Sequence, residues 1–458
     1  LDQKSIQQNI FTIVLIVLTL SLISLVSSNA QAEALIYCVT DGTTGSGCSA
    51  PAAGICTGGV TCGAPCDVPP NNICPSIEAA LDCIAANPDN DAVIRVGSGT
   101  HTGPGTNNPI NNTTSASQDI EILGGFGSDC VSRTTNPIDP TNTNIEAPMP
   151  GGMGDRVFLI NNTTDNPLNV RFEGLTITGG NPTTACAASG NAGGGVCLTG
   201  IGGTGGIMLT SNNNRYDNNH AEVGGGLAVI ASPGGGDIGA TFEQDLITFN
   251  EALTGAGGGI LFLASTMGDT INASVSQTEI GNNTAFTYGG GISLAGSGTI
   301  NLYPVVNNVI HNNIALGLEG GGGVAATTFS AASSYTIKFV NNTTSDNMAT
   351  SGASALGGGI LADNDDGGTI NWTFLNDIIY FNTSAGAGDQ VVLTNTGAGA
   401  TINIRFSDIS NQAGDMDGVG AGLGFINLQN PDIFTDPLFV DPPNNDYRIQ
   451  ADSPIADA

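Results

Sequence analysis

Apolar and polar residues alternate in short bursts along most of this chain. Asp119–Gly127 reads DIEILGGFG, Arg156–Asn162 reads RVFLINN and Leu168–Asn181 reads LNVRFEGLTITGGN. Each burst is bounded by Asn, Asp, Gly or Thr, which predicts short half-buried strands closed by turns. One segment differs. Ile77, Ala80, Leu81 and Ile84 recur at helical spacing behind Ser76, a capping residue, and NPDN at 87–90 ends the run. Ala92–Val96 then reads as a strand. A lone amphipathic helix ahead of many strands predicts a lid over the first turn of a stacked β structure, whose end would otherwise expose core and strand edges. The expected class is all-β with one short N-terminal capping α-helix.

The middle of the chain repeats. Glycine triplets start at Gly193, Gly224, Gly257, Gly289, Gly321 and Gly357, and an aliphatic residue follows each: Val196, Leu227, Ile260, Ile292, Val324 and Ile360. Asn219, Asn250, Asn283, Asn313 and Asn347 recur in step with them, each with Ala two residues on, and Asn382 heads a degraded copy. A period of about 32 residues holding roughly three short apolar segments fits one turn of a three-sided strand coil. Successive turns would pair as neighbouring strands and stack like side chains on like. Gly and Asn are then corner residues. Both tolerate left-handed backbone, and an Asn repeated at one corner can hydrogen-bond to the Asn above and below it.

Composition narrows the function. The chain has 458 residues with 67 Gly, 40 Asp+Glu and 9 Lys+Arg, a net charge of -31, and an apolar fraction of 40%. That apolar content argues against disorder. The scarcity of cations, with Lys4 and Lys338 the only lysines, disfavours nucleic acid and anionic membrane surfaces as partners.

Lys4, the apolar run Ile10–Val26 and SSNAQAEA after it describe an export signal over residues 1–34, with an uncleaved membrane anchor as the alternative. Residues 35–72 read as an irregular, disulfide-tied extension. Cys38, Cys48, Cys56, Cys62, Cys66, Cys74, Cys83, Cys130, Cys186 and Cys197 make an even count, which reads as disulfides in an exported chain. Cys186 with Cys197 is a plausible local pair; the remaining connectivity stays open. Residues 73–130 are expected to hold the N-terminal cap and first coils, 131–430 the repeats, and 431–458 a closing cap in which Tyr447 and Ile449 cover the last coil.

The triplets phased against Asn-x-Ala, with Ile122–Gly127 and FEGLTITGGN at Phe172–Asn181, resemble the right-handed parallel β-helix proteins of the pectate-lyase-like superfamily. Among these the chain looks most like bacterial surface and secreted proteins related to polymorphic outer-membrane proteins. Asp436–Ala458 resembles the closing segment of the choice-of-anchor Q group, after which an anchor is expected. The resemblance implies a right-handed solenoid at the cell surface or outside the cell, the bacterial outer membrane included. It implies membrane attachment only through the N-terminal segment or a C-terminal anchor.

The resemblance leaves activity open, because the superfamily holds lyases, hydrolases and adhesins. A lyase acting on an acidic sugar needs a strong base and carboxylates that hold Ca²⁺; a hydrolase needs paired carboxylates. Asp363, Asp365 and Asp366 form the best acidic cluster, a candidate Ca²⁺ or acid site, and Arg405 is a distant candidate base; Arg171 and Arg215 are further arginines near repeats. A solvated turn is the plainer reading of the cluster. His220 and His311 sit beside repeat asparagines as corner variants, and no Gly-x-Ser-x-Gly elbow or HExxH is present. The leading expectation is a non-catalytic secreted or surface protein acting in adhesion, surface structure or contact with polysaccharides or cell-surface glycans. A Ca²⁺-dependent polysaccharide lyase or glycoside hydrolase is the alternative.

Overall fold

A computed structural model describes residues 34–39, 54–55, 61–62, 72–74, 76–86, 91–112, 116–127, 132–133, 139–148, 154–186, 190–200, 203–317, 320–364, 366–395, 399–410, 416–419, 425–429 and 434–455. Residues 1–33 of the expected export signal, residues 40–53, 56–60 and 63–71 of the expected extension, with Cys48, Cys56 and Cys66, and the 87–90 helix stop lie outside them. So do Cys130 and Asp365.

The chain forms a right-handed parallel β-solenoid with one short N-terminal helix. A representative turn starts at Gly257–Gly259 and runs through Ile260–Ala264, Thr270–Ser276, Glu279–Gly281 and Thr284–Ala285 before the next triplet. Each of these four strands pairs in parallel with its counterparts one turn before and one turn after. Stacking builds sheet I behind the triplets with ten strands, sheet II with thirteen, sheet III with ten and sheet IV with six. Three apolar segments per repeat predict three sides; sheet IV is the addition. Its strands are two residues long, too short to register as alternation, and in the regular repeats they are the last two residues of the Asn-x-Ala phrase.

Inward positions stack as the repeat requires. On sheet II one column runs Phe172, Ser211, Phe242, Val275, Val305, Phe339, Phe374 and Ile404. Burial of these side chains at roughly 25 cal/mol per Å² is the main force holding turn on turn. Phe339, Trp372 and Phe374 meet with centroids 5.3–5.5 Å apart, a geometry that adds edge and stacking contacts to that burial.

The helix spans Ile77–Ala86. Ser76 Oγ accepts from the Ala79 N–H at 3.1 Å, satisfying a donor that the first turn leaves open. Ile77, Ala80, Leu81 and Ile84 are buried in the core, so the apolar stripe faces the solenoid. The solenoid begins earlier than residue 73. Leu35–Val39, expected to be irregular, is a strand of sheet II lying between Asn72–Cys74 and Ala92–Gly97.

The closing segment departs further from expectation. Phe439–Asp441 and Asp446–Ile449 form an antiparallel hairpin, but it lies along the flank of the solenoid. Tyr447 packs on His311 with centroids 5.1 Å apart, and Phe439 packs on Phe381 at 6.2 Å. Thr435 donates its N–H to Asp408 Oδ1 at 3.2 Å. The segment therefore runs back across successive turns. The aromatic faces of His311 and Phe381 supply the apolar surface that Phe439 and Tyr447 bury.

Candidate functional surface

Two polar columns line the inner corners of the coil. In the first, Asn219, Asn250, Asn283, Asn313 and Asn347 each donate Nδ2 to the Oδ1 of the ladder Asn one turn on, at 2.9–3.0 Å, ending on Asn382. The same Oδ1 atoms accept the backbone N–H of the Asn before. Each Nδ2 also donates to a carbonyl inside the coil, such as Ile247 O from Asn283 at 2.8 Å. The column starts on the Gly180 N–H and ends on Gln390 Oε1.

These asparagines do not carry the left-handed backbone expected of them. The residue before each does: Asn218, Phe249, Asn282, Asn312 and Asp346 have φ of 52–57°. The bend and the ladder are separate jobs on adjacent residues. The ladder Asn must point inward, whereas the bend residue lies outside the ladder, half-buried or exposed, and needs only to tolerate its φ. Buried Asn342 and Asn382 also head glycosylation-like triplets, and their inward hydrogen bonds keep those side chains inside.

The triplet glycines face the same corner. At the first position, Gly224, Gly257, Gly289, Gly321 and Gly357 have φ of 61–73°. At the second, a Cβ on Gly290 would stand 2.4–2.7 Å from backbone atoms of Gly322 and Ile314, closer than packed atoms approach. Only glycine lets neighbouring turns meet there.

The second column escaped sequence reading. Asn214, Asp245, Thr278, Asn308, Asn342, Asp377 and Ser407 stand five residues ahead of the first column and pass backbone N–H to side-chain oxygen from turn to turn. Their common offset was the available signal, but four residue types share the column, so no single letter recurs at every turn. Burial pushes Asp245 and Asp377 up to about 7, against the hydrogen bonds they accept. Arg156 is likewise buried, which brings it down to about 10 against the pull of Asp155. Its guanidinium donates to Thr106 Oγ1 at 2.6 Å and Thr184 O at 2.7 Å, tying the 182–186 segment to the coil. These perturbed groups hold structure together.

The acidic cluster does not converge with the arginine. Asp363 ends its strand's outward positions in sheet I, where Oδ1 accepts from Thr394 Oγ1 at 2.6 Å. Asp366 lies on an exposed turn. Arg405 closes Ala400–Arg405 in sheet II. Among the described residues no group of three or more His, Cys, Asp or Glu is placed to hold a metal ion.

Outward faces differ in how much they leave open. Sheet I is covered by its own loops over Leu159, Ala228, Ile230, Leu261, Leu361 and Val392. The Cys186–Cys197 disulfide staples one such loop to the sheet. Cys38 and Cys83 are also disulfide-bonded, Cys74 is buried, and only the backbone of Cys62 is described. Replacing Cys186 and Cys197 by Ser is expected to lower stability by about 3 kcal/mol, from the loop of 11 residues that the bridge closes. Denaturant titration of the full chain measures it.

Sheet II stays open. Asn169, Thr210, Thr241, Asn272, Ser274, Thr336, Asn371, Thr373 and Asn403 point outward from its strands, together with Lys338 and Arg405. The result is a long sheet face rich in hydroxyl and carboxamide groups at strand spacing, interrupted by the outward Arg171, Met208 and Tyr303.

The molecule is thus a right-handed parallel β-solenoid laced by two polar columns. No protein-family model matches the chain, nor does any curated protein or solved structure.

Proposed function

We propose that this is a secreted or cell-surface β-solenoid of the pectate-lyase-like kind, acting without catalysis in adhesion, surface structure or contact with polysaccharide. The observation that carries the reading is the open outer face of sheet II. Its Thr, Ser and Asn side chains repeat at about 4.8 Å from strand to strand, so an extended polyhydroxyl chain can be met by hydrogen bonds at many points. Each contact is weak in water, and their number supplies avidity. Disulfide bonding at Cys38, Cys83 and Cys186–Cys197 supports an extracellular setting.

The full chain should co-sediment with insoluble polysaccharides and release no shortened or unsaturated oligosaccharide, with Ca²⁺ or with chelator, as read by mass spectrometry. Replacing Thr336, Asn371 and Thr373 together by Ala should weaken co-sedimentation. Calcium-dependent products would overturn the reading and return attention to Asp363 and Asp366.

A further inference from the structure

Sheet III carries a concavity near the N-terminal end of the coil. Four successive strands, Gly99–Thr102, Thr143–Glu146, Thr176–Thr178 and Arg215–Asp217, form its floor. The short 3-10 turn Pro140–Asn142 forms a wall, held by Thr176 Oγ1, which donates to Pro140 O at 2.9 Å. The groove is open to solvent and offers about 440 Å³, within the range of small-ligand sites.

Register fixes the lining. Thr100, Asn144, Thr176 and Arg215 align as one outward column, and Thr178 and Asp217 stand beside it. One turn further the first column becomes Leu246, which ends the polar floor. From first to fourth strand the groove spans roughly 14 Å.

Its chemistry is selective. Arg215 and Asp217 are the charged groups of the lining and pair at 3.1 Å, so the floor is close to neutral; at its edge the exposed Glu146, in register with Thr178, accepts from Asn144 Nδ2 at 2.9 Å. In a chain of net charge -31 the groove offers an anion little attraction, and a single carboxylate is a poor cation site. The remaining lining side chains are hydroxyls and carboxamides. Asn144 Oδ1 and Arg215 Nε are shielded from water and have no hydrogen-bond partner, a state that costs free energy. A ligand hydroxyl met by a small turn of either side chain would relieve it.

We propose that this groove binds a short, uncharged oligosaccharide segment, lying along the solenoid axis across the four strands. The assignment deepens the polysaccharide-contact reading above and rests on it, but places a discrete site on sheet III.

The test is titration of the full chain with maltotetraose, cellotetraose, mannotetraose and the anionic tetragalacturonate, followed by calorimetry and NMR. At least one neutral tetrasaccharide should bind more tightly than tetragalacturonate. Thr178→Phe, which fills the groove, should weaken that binding at least about tenfold. Asn142→Ala, on the half-buried wall, should weaken it while leaving the strand ladder intact, and Thr178→Ser should retain it. Binding unchanged in both Thr178→Phe and Asn142→Ala would overturn the groove assignment and place the sugar elsewhere, leaving the adhesion reading intact. Absence of binding by the native chain to every tetrasaccharide at about 10 mM would also overturn the assignment. Co-sedimentation with polysaccharide then decides the broader reading separately.

Discussion

Replacing Asn283 by Ala should destabilise the solenoid by about 4 kcal/mol. The side chain accepts from both the N–H and the Nδ2 of Asn250 at 3.0 Å, and donates to Ile247 O and Asn313 Oδ1. It is fully buried, so water cannot take its place. Truncation leaves the Asn250 N–H without a partner, at about 1–3 kcal/mol, removes the side-chain bonds to the Ile247 carbonyl and Asn313, and opens a void beside Gly259, whose α-carbon faces the amide. Asn282→Gly, one residue earlier, is the control. Asn282 has φ of 57° and glycine adopts that conformation freely, so its effect should be a few tenths of a kcal/mol. Denaturant unfolding measures both. Hydrogen exchange adds location: the amides of Asn250 and Glu251 should lose protection first in Asn283→Ala. Equal effects from the two substitutions would show that the corner depends on backbone shape alone and that the ladder adds nothing.

The second large effect is on pH. Burial raises Asp245 and Asp377 from the ordinary carboxylate range to about 7, and Asp408, buried beside Asp436, rises to about 7 as well. A raised native value means that the folded chain holds its proton over a range in which the unfolded chain has lost it. Stability is therefore greatest at or below the unfolded value near 4. It falls as pH rises from about 4 to about 7, and the loss is complete above that. Each fully buried group contributes at most roughly 4 kcal/mol to the fall. Stability should accordingly be several kcal/mol higher at pH 5 than at pH 8.

Self-repulsion of a chain with 40 acidic residues pushes in the same direction, and Asp245→Asn separates the two. Asn already occupies the preceding ladder position at Asn214, so the amide suits the column. The variant should lose less stability than the native chain between pH 5 and pH 8. A native profile that is flat or rises over that interval would sink the assignment of these carboxylates as buried titrating groups.

The docked hairpin shows where sequence reading fails. Tyr447 and Ile449 read as a cover for the last coil, yet Tyr447 packs on His311, several turns back along the flank. A hairpin lying on a flank chooses its inward side by what the flank offers. Here it offers His311, held by Glu279 at 3.0 Å, and Phe381, both many residues away in sequence. The groove was hidden for the same reason. Thr100, Asn144, Thr176 and Arg215 come from four turns ahead of or at the start of the regular repeat, where their spacing is uneven, and only strand register aligns them.

By itself the sequence determined the solenoid, its period, the capping helix and the column of asparagines. Each is written in residues that recur at fixed spacing, because a coil whose turns pair with their neighbours imposes the same demand at the same place every turn. Tertiary structure alone decided the fourth sheet, the split between bend residue and ladder residue, the mixed second column, the flank docking of the hairpin and which outer face stays open. Those outcomes depend on which side chains from different turns end up adjacent. Adjacency across turns is set by register and packing, which no local pattern of apolar and polar residues encodes.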